Sequence, residues 1–279
     1  MIFLAKRLLN YIRFSIIHPM KVIILCGGIG TRLKEETEFK PKPMVFVGSK
    51  PLIWHIMKIY ASCGYNEFIL ALGYKADYIK DFFLNQKAFT SNFTLETKTH
   101  KSTFYLEDRG EIDNFKITFV DTGIESLIGE RILHCQKYIP KRDKYFMVTY
   151  GDGVADININ LLFKFHKKQK TIGTITGVHP RSKYGLLKIN YRNNLVTEIR
   201  EKPVLSDWIS GGFMVFDKRF FNYLKDNEMD LEAINRLIKE EQLSIYKHEG
   251  FWFGVDTHKE LEDLNNFWRT DNPPWRVWR

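Results

Sequence analysis

Lys21–Met44 reads KVIILCGGIGTRLKEETEFKPKPM, and the order of residue types in it decides the fold. Val22–Leu25 is a short unbroken apolar run, the pattern of a strand covered on both faces. It breaks into Gly27-Gly28-Ile29-Gly30, where glycines let the backbone pass close to a bound anion. Thr31-Arg32 follows, so the next element opens with free N–H groups beside a cation, an arrangement suited to phosphate. Lys42 then stands between Pro41 and Pro43, whose fixed φ angles stiffen the segment that carries it. These features predict an α/β sheet that binds its ligand beyond a strand end.

Two familiar phosphate motifs are excluded by the residues themselves. A dinucleotide fingerprint needs a third glycine where Leu33 stands and an acidic residue in the region of Phe46–Ser49, where none occurs. A P-loop ends in Gly-Lys-Ser/Thr, and here the loop ends Gly30-Thr31-Arg32. A glycine-rich turn alone is weak evidence, so the rest of the chain has to supply the context.

Outward from this stretch the chain alternates apolar strands with amphipathic helices. Pro51–Cys63 has helical period and meets a stop at Gly64. Glu67–Leu72 reads as a strand and Lys75–Asn85 as the next helix. From Phe93 to Val120 polar strand-like pieces, NFTLETKT and FKITFVDT, flank a charged turn at Asp108-Arg109-Gly110. Tyr145–Tyr150 is a buried strand that runs into Gly151-Asp152-Gly153. Thr171–Val178, Gly185–Ile189, Leu195–Glu198 and Gly212–Phe216 read as strands with few helices between them. The expected fold class is α/β: a mixed, mainly parallel sheet flanked by helices, with additional β-rich segments. No linker, repeat or low-complexity tract divides residues 20–279, which we read as one domain. Its two parts meet at about residue 150.

Bulk composition narrows the function less. The 279 residues carry a formal net charge of +9, which suits a phosphorylated ligand, an anionic membrane surface or nucleic acid equally. The basic residues are dispersed and no nucleic-acid motif accompanies them, which argues against a nucleic-acid partner. Cys26, Cys63 and Cys135 are scattered, without a CxxC pair, so neither a disulfide framework nor a structural zinc is indicated. That usage fits a reducing cytoplasm. No apolar run reaches the roughly 18 residues needed to span a bilayer.

Residues 1–19, MIFLAKRLLNYIRFSIIHP, stand apart in composition. Lys6, Arg7, Asn10 and Arg13 fall on one helical side with Leu4, Leu8 and Ile12 opposite. This N-terminal extension is either a leader outside the folded unit, with Met20-Lys21 a normal start, or an amphipathic helix on an anionic membrane surface. No small-residue cleavage site follows it, which argues against a secretory signal.

Two aspartates are candidates for a metal. Asp152 sits at a strand end between two glycines, placed to take one face of Mg²⁺, which uses few protein carboxylates alongside ligand phosphates. The same tripeptide could be a plain Asp-Gly turn. Asp256, in Gly254-Val255-Asp256-Thr257, could equally cap the helix suggested by Lys259–Phe267.

The ordered set is more specific than any member of it. The glycine loop, Pro41-Lys42-Pro43, Asp152, Glu201-Lys202-Pro203, Gly211-Gly212 and Val255-Asp256-Thr257 follow one another in one chain. In this order the chain resembles the sugar-phosphate nucleotidyltransferase family, and within it the branch that uses CTP and glucose 1-phosphate. The likeness runs from Met20 to Arg279, with Glu35-Glu36-Thr37, Trp54-His55-Ile56-Met57, Gly250-Phe251-Trp252 and a tail holding Pro274-Trp275 and Trp278 among its marks.

The resemblance implies a Mg²⁺-dependent enzyme with CTP and a sugar 1-phosphate as partners, a cytoplasmic location and a homo-oligomer. Leu25, Gly27, Gly28, Gly30, Thr31 and Arg32 would bind the nucleotide, with Arg32 on the leaving pyrophosphate and Lys42 neutralising the reacting phosphate. Asp152 and Asp256 would hold the metal. Glu201 would meet sugar hydroxyls, Lys202 the sugar phosphate, and Gly185, Gly211 and Gly212 would line the acceptor. Three positions depart from the family pattern. Glu130 replaces a glycine in a nucleotide-facing segment, Ser210 replaces an asparagine, and Phe253-Gly254-Val255 replaces Gln-Pro-Met. They leave open a different acceptor or nucleotide. A non-catalytic nucleotide-binding regulator is the alternative of another class, and retention of Arg32, Lys42, Asp152, Lys202 and Asp256 argues against it.

Overall fold

The computed structural model describes residues 20–105, 113–225, 230–270 and 272–278. The N-terminal extension and the Asp108–Gly110 turn lie outside these residues.

Val22–Leu25 is strand β1. A two-residue ribbon, β2 (Phe46–Val47) and β3 (Lys50–Pro51), leads into the helix Leu52–Ser62, and β4 (Glu67–Leu72) follows. After the helix Ala76–Leu84, β5 (Phe93–Glu96) and β6 (Lys101–Phe104) form an exposed ribbon, and β7 is Lys116–Asp121. The helix Ile128–His134 precedes β8 (Tyr145–Tyr150) and β9 (Gly153–Ala155). The helix Ile159–Gln169 comes before β10 (Gly173–Val178), and β11 (Leu186–Asn190) with β12 (Leu195–Arg200) forms a second exposed ribbon. Then come β13 (Ile209–Asp217), the helix Asp230–Lys239, β14 (Leu243–Lys247), β15 (Trp252–Gly254) and the helix His258–Trp268.

Seven strands make the central sheet, in the order β14-β10-β13-β8-β1-β4-β7. Strand β13 runs antiparallel to both its neighbours, and every other pairing is parallel. The mixed, mainly parallel α/β sheet expected from the pattern is the fold observed. This sheet draws strands from both sides of residue 150. The apolar run of β1 has the predicted consequence: Val22, Ile23 and Ile24 have no exposed surface. Alternation sends Val22 and Ile24 to a core beneath the helix Leu52–Ser62, and Ile23 to a second core that includes Ile132 and Leu237. Burying both faces is what a parallel sheet requires. Among the described residues no helix is long and apolar enough to cross a membrane.

The aromatic tail closes the first core. Trp275 is fully buried, and its indole N–H donates to His55 Nδ1 at 3.4 Å. His55 in turn donates from Nε2 to the Val47 carbonyl at 3.0 Å, so its neutral ring is used at both nitrogens. Burial pushes its pKa down to about 4.

Candidate active site

Leu25 pairs with Ala71 of β4 on one side and Tyr150 of β8 on the other. The chain therefore leaves the sheet at Cys26 between two strands that also end there. This is the crevice in which open α/β sheets bind ligands. Burial, then neighbouring Cys135, pushes the Cys26 thiol far above its ordinary pKa, so it is an unreactive part of the floor.

Two loop glycines are required by geometry. Gly30 has φ +71, and a Cβ there would lie 3.0 Å from Thr37 Cγ2 and 3.1 Å from Lys42 Cβ. Thr37 pins the turn, donating its hydroxyl to the Gly30 and Leu33 carbonyls at 3.1 and 2.9 Å. A Cβ on Gly27 would lie 2.0 Å from Arg131 Nη1. Arg131 is buried and donates to Thr122 Oγ1 and the Gly123 carbonyl at 2.7 Å, and to the Ile124 carbonyl at 2.8 Å. It clamps the segment after β7 against the glycine loop.

The two aspartates, 104 positions apart in sequence, are joined by the short ribbon of β9 and β15, in which Gly153 pairs with Gly254. The Val255 N–H donates to the Asp152 carbonyl at 2.9 Å. Asp256 is not the helix cap. Thr257 caps the helix His258–Trp268, in a capping box with Glu260. Glu260 Oε2 accepts the N–H groups of Asp256 and Thr257, both at 2.8 Å, which leaves the Asp256 carboxylate free to face the crevice.

Between the carboxylates stands Lys42. Its Nζ donates to Asp152 Oδ2 and Asp256 Oδ1, both at 2.7 Å, and Arg32 Nη1 donates to Asp256 Oδ2 at 2.7 Å. Burial works against the charge on Lys42, but Asp152 and Asp256 outweigh it and raise the ammonium pKa. Burial likewise works against charge on Asp256, and Lys42, Arg32 and Lys183 together hold it below the ordinary carboxylate range.

A cavity of about 450 Å³ opens here, within the range of small-ligand sites. Of the residues expected to act, Leu25, Gly27, Gly28, Gly30, Thr31, Arg32, Lys42, Asp152 and Asp256 all line it. Gly185, Glu201, Lys202, Gly211 and Gly212 do not. Gly185 and Glu201 lie together at the base of the β11–β12 ribbon, where a Cβ on Gly185 would be 3.1 Å from Glu201 Oε2. Gly212 lies against Tyr150, a cavity residue, and the Gly211 carbonyl accepts the Trp252 indole N–H at 2.9 Å. Lys183 links the ribbon to the crevice, 3.5 Å from Glu260 Oε1.

Residue-by-residue reading missed Arg131 and Tyr150, which also line the cavity. The available signal was position. Tyr150 ends a buried strand, and Arg131 follows the Asp-Thr-Gly at the end of β7. Two of the departures turn away from the crevice. Glu130 does not line it and lies 3.8 Å from His134 Nε2. The Phe253 ring packs with Phe251 and Phe267.

The donor set fits Mg²⁺. Two hard carboxylates face one point closely enough for a single ammonium to reach both, and the remaining ligands would come from phosphates. Among the described residues no group of three or more His, Cys, Asp or Glu side chains forms a metal cage.

The profile of the Nucleotidyl transferase family matches residues 21–271. This chain belongs to the nucleotidyl transferase family. Within the family it is 39% identical over 262 residues to the probable glucose-1-phosphate cytidylyltransferase of Bacillus subtilis, covering 93% of this chain and 100% of that relative. It is 36% identical over 263 residues to the glucose-1-phosphate cytidylyltransferase of Salmonella typhimurium, with the same coverage. The fold also matches the crystal structure of HddC from Yersinia pseudotuberculosis complexed with GMP-PN. That match has a TM-score of 0.64 at 23% identity, over 90% of this chain and 100% of that one.

Proposed function

We propose that this nucleotidyltransferase moves the cytidylyl group of CTP to glucose 1-phosphate, giving CDP-glucose and pyrophosphate. The observation that carries the reading is the meeting of Arg32, Lys42, Asp152 and Asp256 at one rim of the glycine loop. The full-length likeness to two cytidylyltransferases supports the choice of nucleotide and acceptor.

In this reading an ionised oxygen of the sugar phosphate attacks the α-phosphorus. A new P–O bond forms as the bond to the β-phosphate's bridging oxygen breaks, and pyrophosphate leaves with that electron pair. No side chain has to take a proton, so the protein's work is positioning and charge neutralisation. Backbone N–H groups of Gly27–Arg32 hold the triphosphate, and Arg32 faces the leaving pyrophosphate. Lys42 neutralises the reacting phosphate. Asp152 and Asp256 would hold Mg²⁺, which when bound offsets the negative charge of the phosphates. Glu201 and Lys202 hold the sugar hydroxyls and phosphate, with Gly185, Gly211 and Gly212 beside them. We place the reaction in the cytoplasm. We expect a homo-oligomer, because the β11–β12 ribbon exposes Leu187, Leu195 and Ile199.

The test is pyrophosphate release with Mg²⁺, pairing CTP, UTP, dTTP and GTP with glucose 1-phosphate and other sugar phosphates. Turnover with CTP and glucose 1-phosphate is the expected result. Turnover with another acceptor would turn attention to Ser210, which directly precedes Gly211 and Gly212 in β13. Silence throughout would favour a nucleotide-binding regulator.

A further inference from the structure

Lys42 makes more of the metal corner than a neutralising role for phosphate requires. Its ammonium touches one oxygen of each aspartate, at 2.7 Å in both cases. Its backbone is held between Pro41 and Pro43, and its stem packs close to Gly30, so the ammonium rather than the segment is what can move. Arg32 takes the other oxygen of Asp256. Two cations and two carboxylates thus form a neutral quartet in the position a divalent ion would take.

An ion bridging Asp152 and Asp256 would stand within a few ångströms of the Lys42 ammonium, and the two positive charges would repel. Metal alone would also leave Lys42 and Arg32 without their anions. The triphosphate supplies new ones. We propose that Lys42 is a resident counter-ion which the divalent metal must displace, and that the incoming triphosphate receives it. Metal and nucleotide then enter together, and metal binds the free protein weakly. The inference rests on the reading of Asp152 and Asp256 as metal ligands. Linkage makes the coupling reciprocal, so each ligand tightens the other by the same factor.

The test titrates Mn²⁺ into the full chain without nucleotide, reading free ion from its electron paramagnetic resonance signal. Wild type, Lys42→Gln and Lys42→Arg are compared, each checked for folding by thermal melt. Lys42→Met, which keeps an apolar stem beside Gly30, replaces the Gln variant if that one unfolds. Loss of the ammonium should tighten Mn²⁺ binding by about tenfold or more, within the usual size of a coupling between sites. Lys42→Arg keeps the charge and should bind as weakly as wild type. With α,β-methylene-CTP added, Mn²⁺ affinity should rise by a larger factor in wild type than in Lys42→Gln. Equal affinity of wild type and Lys42→Gln in the absence of nucleotide would overturn the proposal and leave the metal assignment intact. Adding Asp152→Asn to the Lys42→Gln chain separates the two failures. If tight Mn²⁺ binding survives that change, the ion sits elsewhere and both readings fall.

Discussion

The two sides of the crevice are built differently. On the nucleotide side the glycine loop is set by β1, pinned by Thr37 and backed by buried Arg131, so packing determines its shape before a ligand arrives. On the side we propose for the acceptor, Glu201 and Lys202 are exposed at the base of a ribbon whose two strands are almost wholly exposed. Lys183, just before that ribbon, lies 3.5 Å from Glu260 Oε1 beside the crevice. Under the proposed function, a packed phosphate site joined to an exposed acceptor site can keep its chemistry while the acceptor changes. The lesson is that catalytic power should reside on the packed side and selectivity on the open one.

The strongest way to break that comparison is at the corner both sides share. Asp152→Asn should lower turnover about 10³-fold, the scale of losing a main electrostatic contributor. Its melting temperature should stay near wild type, because the carboxylate is part-exposed. Turnover within tenfold of wild type, measured as pyrophosphate release, would sink the assignment. Next in size is a dependence on pH. The core holds two buried neutral histidines, His55 bonded to Val47 of β2 and His166 bonded to Thr174 of β10, both with pKa pushed down to about 4 by burial. The unfolded chain binds these protons near pH 6.5 and the folded chain does not, so their stability is full above 6.5 and is lost as pH falls toward 4. The loss is about 3 kcal/mol for each. Urea unfolding between pH 7 and 4.5 should show it, ahead of the carboxylates Glu67, Asp217 and Asp256, whose lowered pKa values act below pH 4.5. A flat profile would remove both histidines from the account.

The same contrast governs how much of the molecule could be read in advance. β1, β4 and β8 have the limits that the apolar runs predict, because a strand covered on both faces has no polar interruptions. β6 (Lys101–Phe104) was not legible: its four residues, Lys-Ser-Thr-Phe, carry a single apolar side chain, so no strand pattern marks it. Asp256 was ambiguous for a different reason. Local pattern makes it a helix cap as readily as a ligand, and only the three-residue pairing of β9 with β15 brings it to Asp152. Arg131 was invisible as a clamp, since its acceptors are mainly carbonyl oxygens and any sequence has those.

Gly27→Ala probes the packed side without removing a charged group. Its Cβ would meet the Arg131 guanidinium at 2.0 Å, and Arg131 has no slack because it holds three acceptors after β7. Displacing it by about an ångström should lower kcat/KM about 100-fold and stability by about 2 kcal/mol. A Cβ on Gly28 meets nothing within 4 Å, so Gly28→Ala should leave the melting temperature in place. Equal destabilisation by both would mean that the loop is not braced through Arg131.

The smallest effect is expected on the open side, at Lys202. This lysine has φ +41, in the left-handed region that non-glycine residues avoid, and Pro203 follows it. Such backbone strain amounts to about 1–3 kcal/mol and persists at functional positions. Glycine would relieve it, so Lys202→Gly should melt at or above the wild-type temperature. If the ammonium holds the sugar phosphate, the same change should raise the KM for glucose 1-phosphate about tenfold, the value of one charged hydrogen bond, and leave the KM for CTP alone. A structural role predicts the reverse pattern: lower stability, with both KM values unchanged. Movement of both KM values together would instead tie the ribbon to the nucleotide side and dissolve the division between a packed half and an open one.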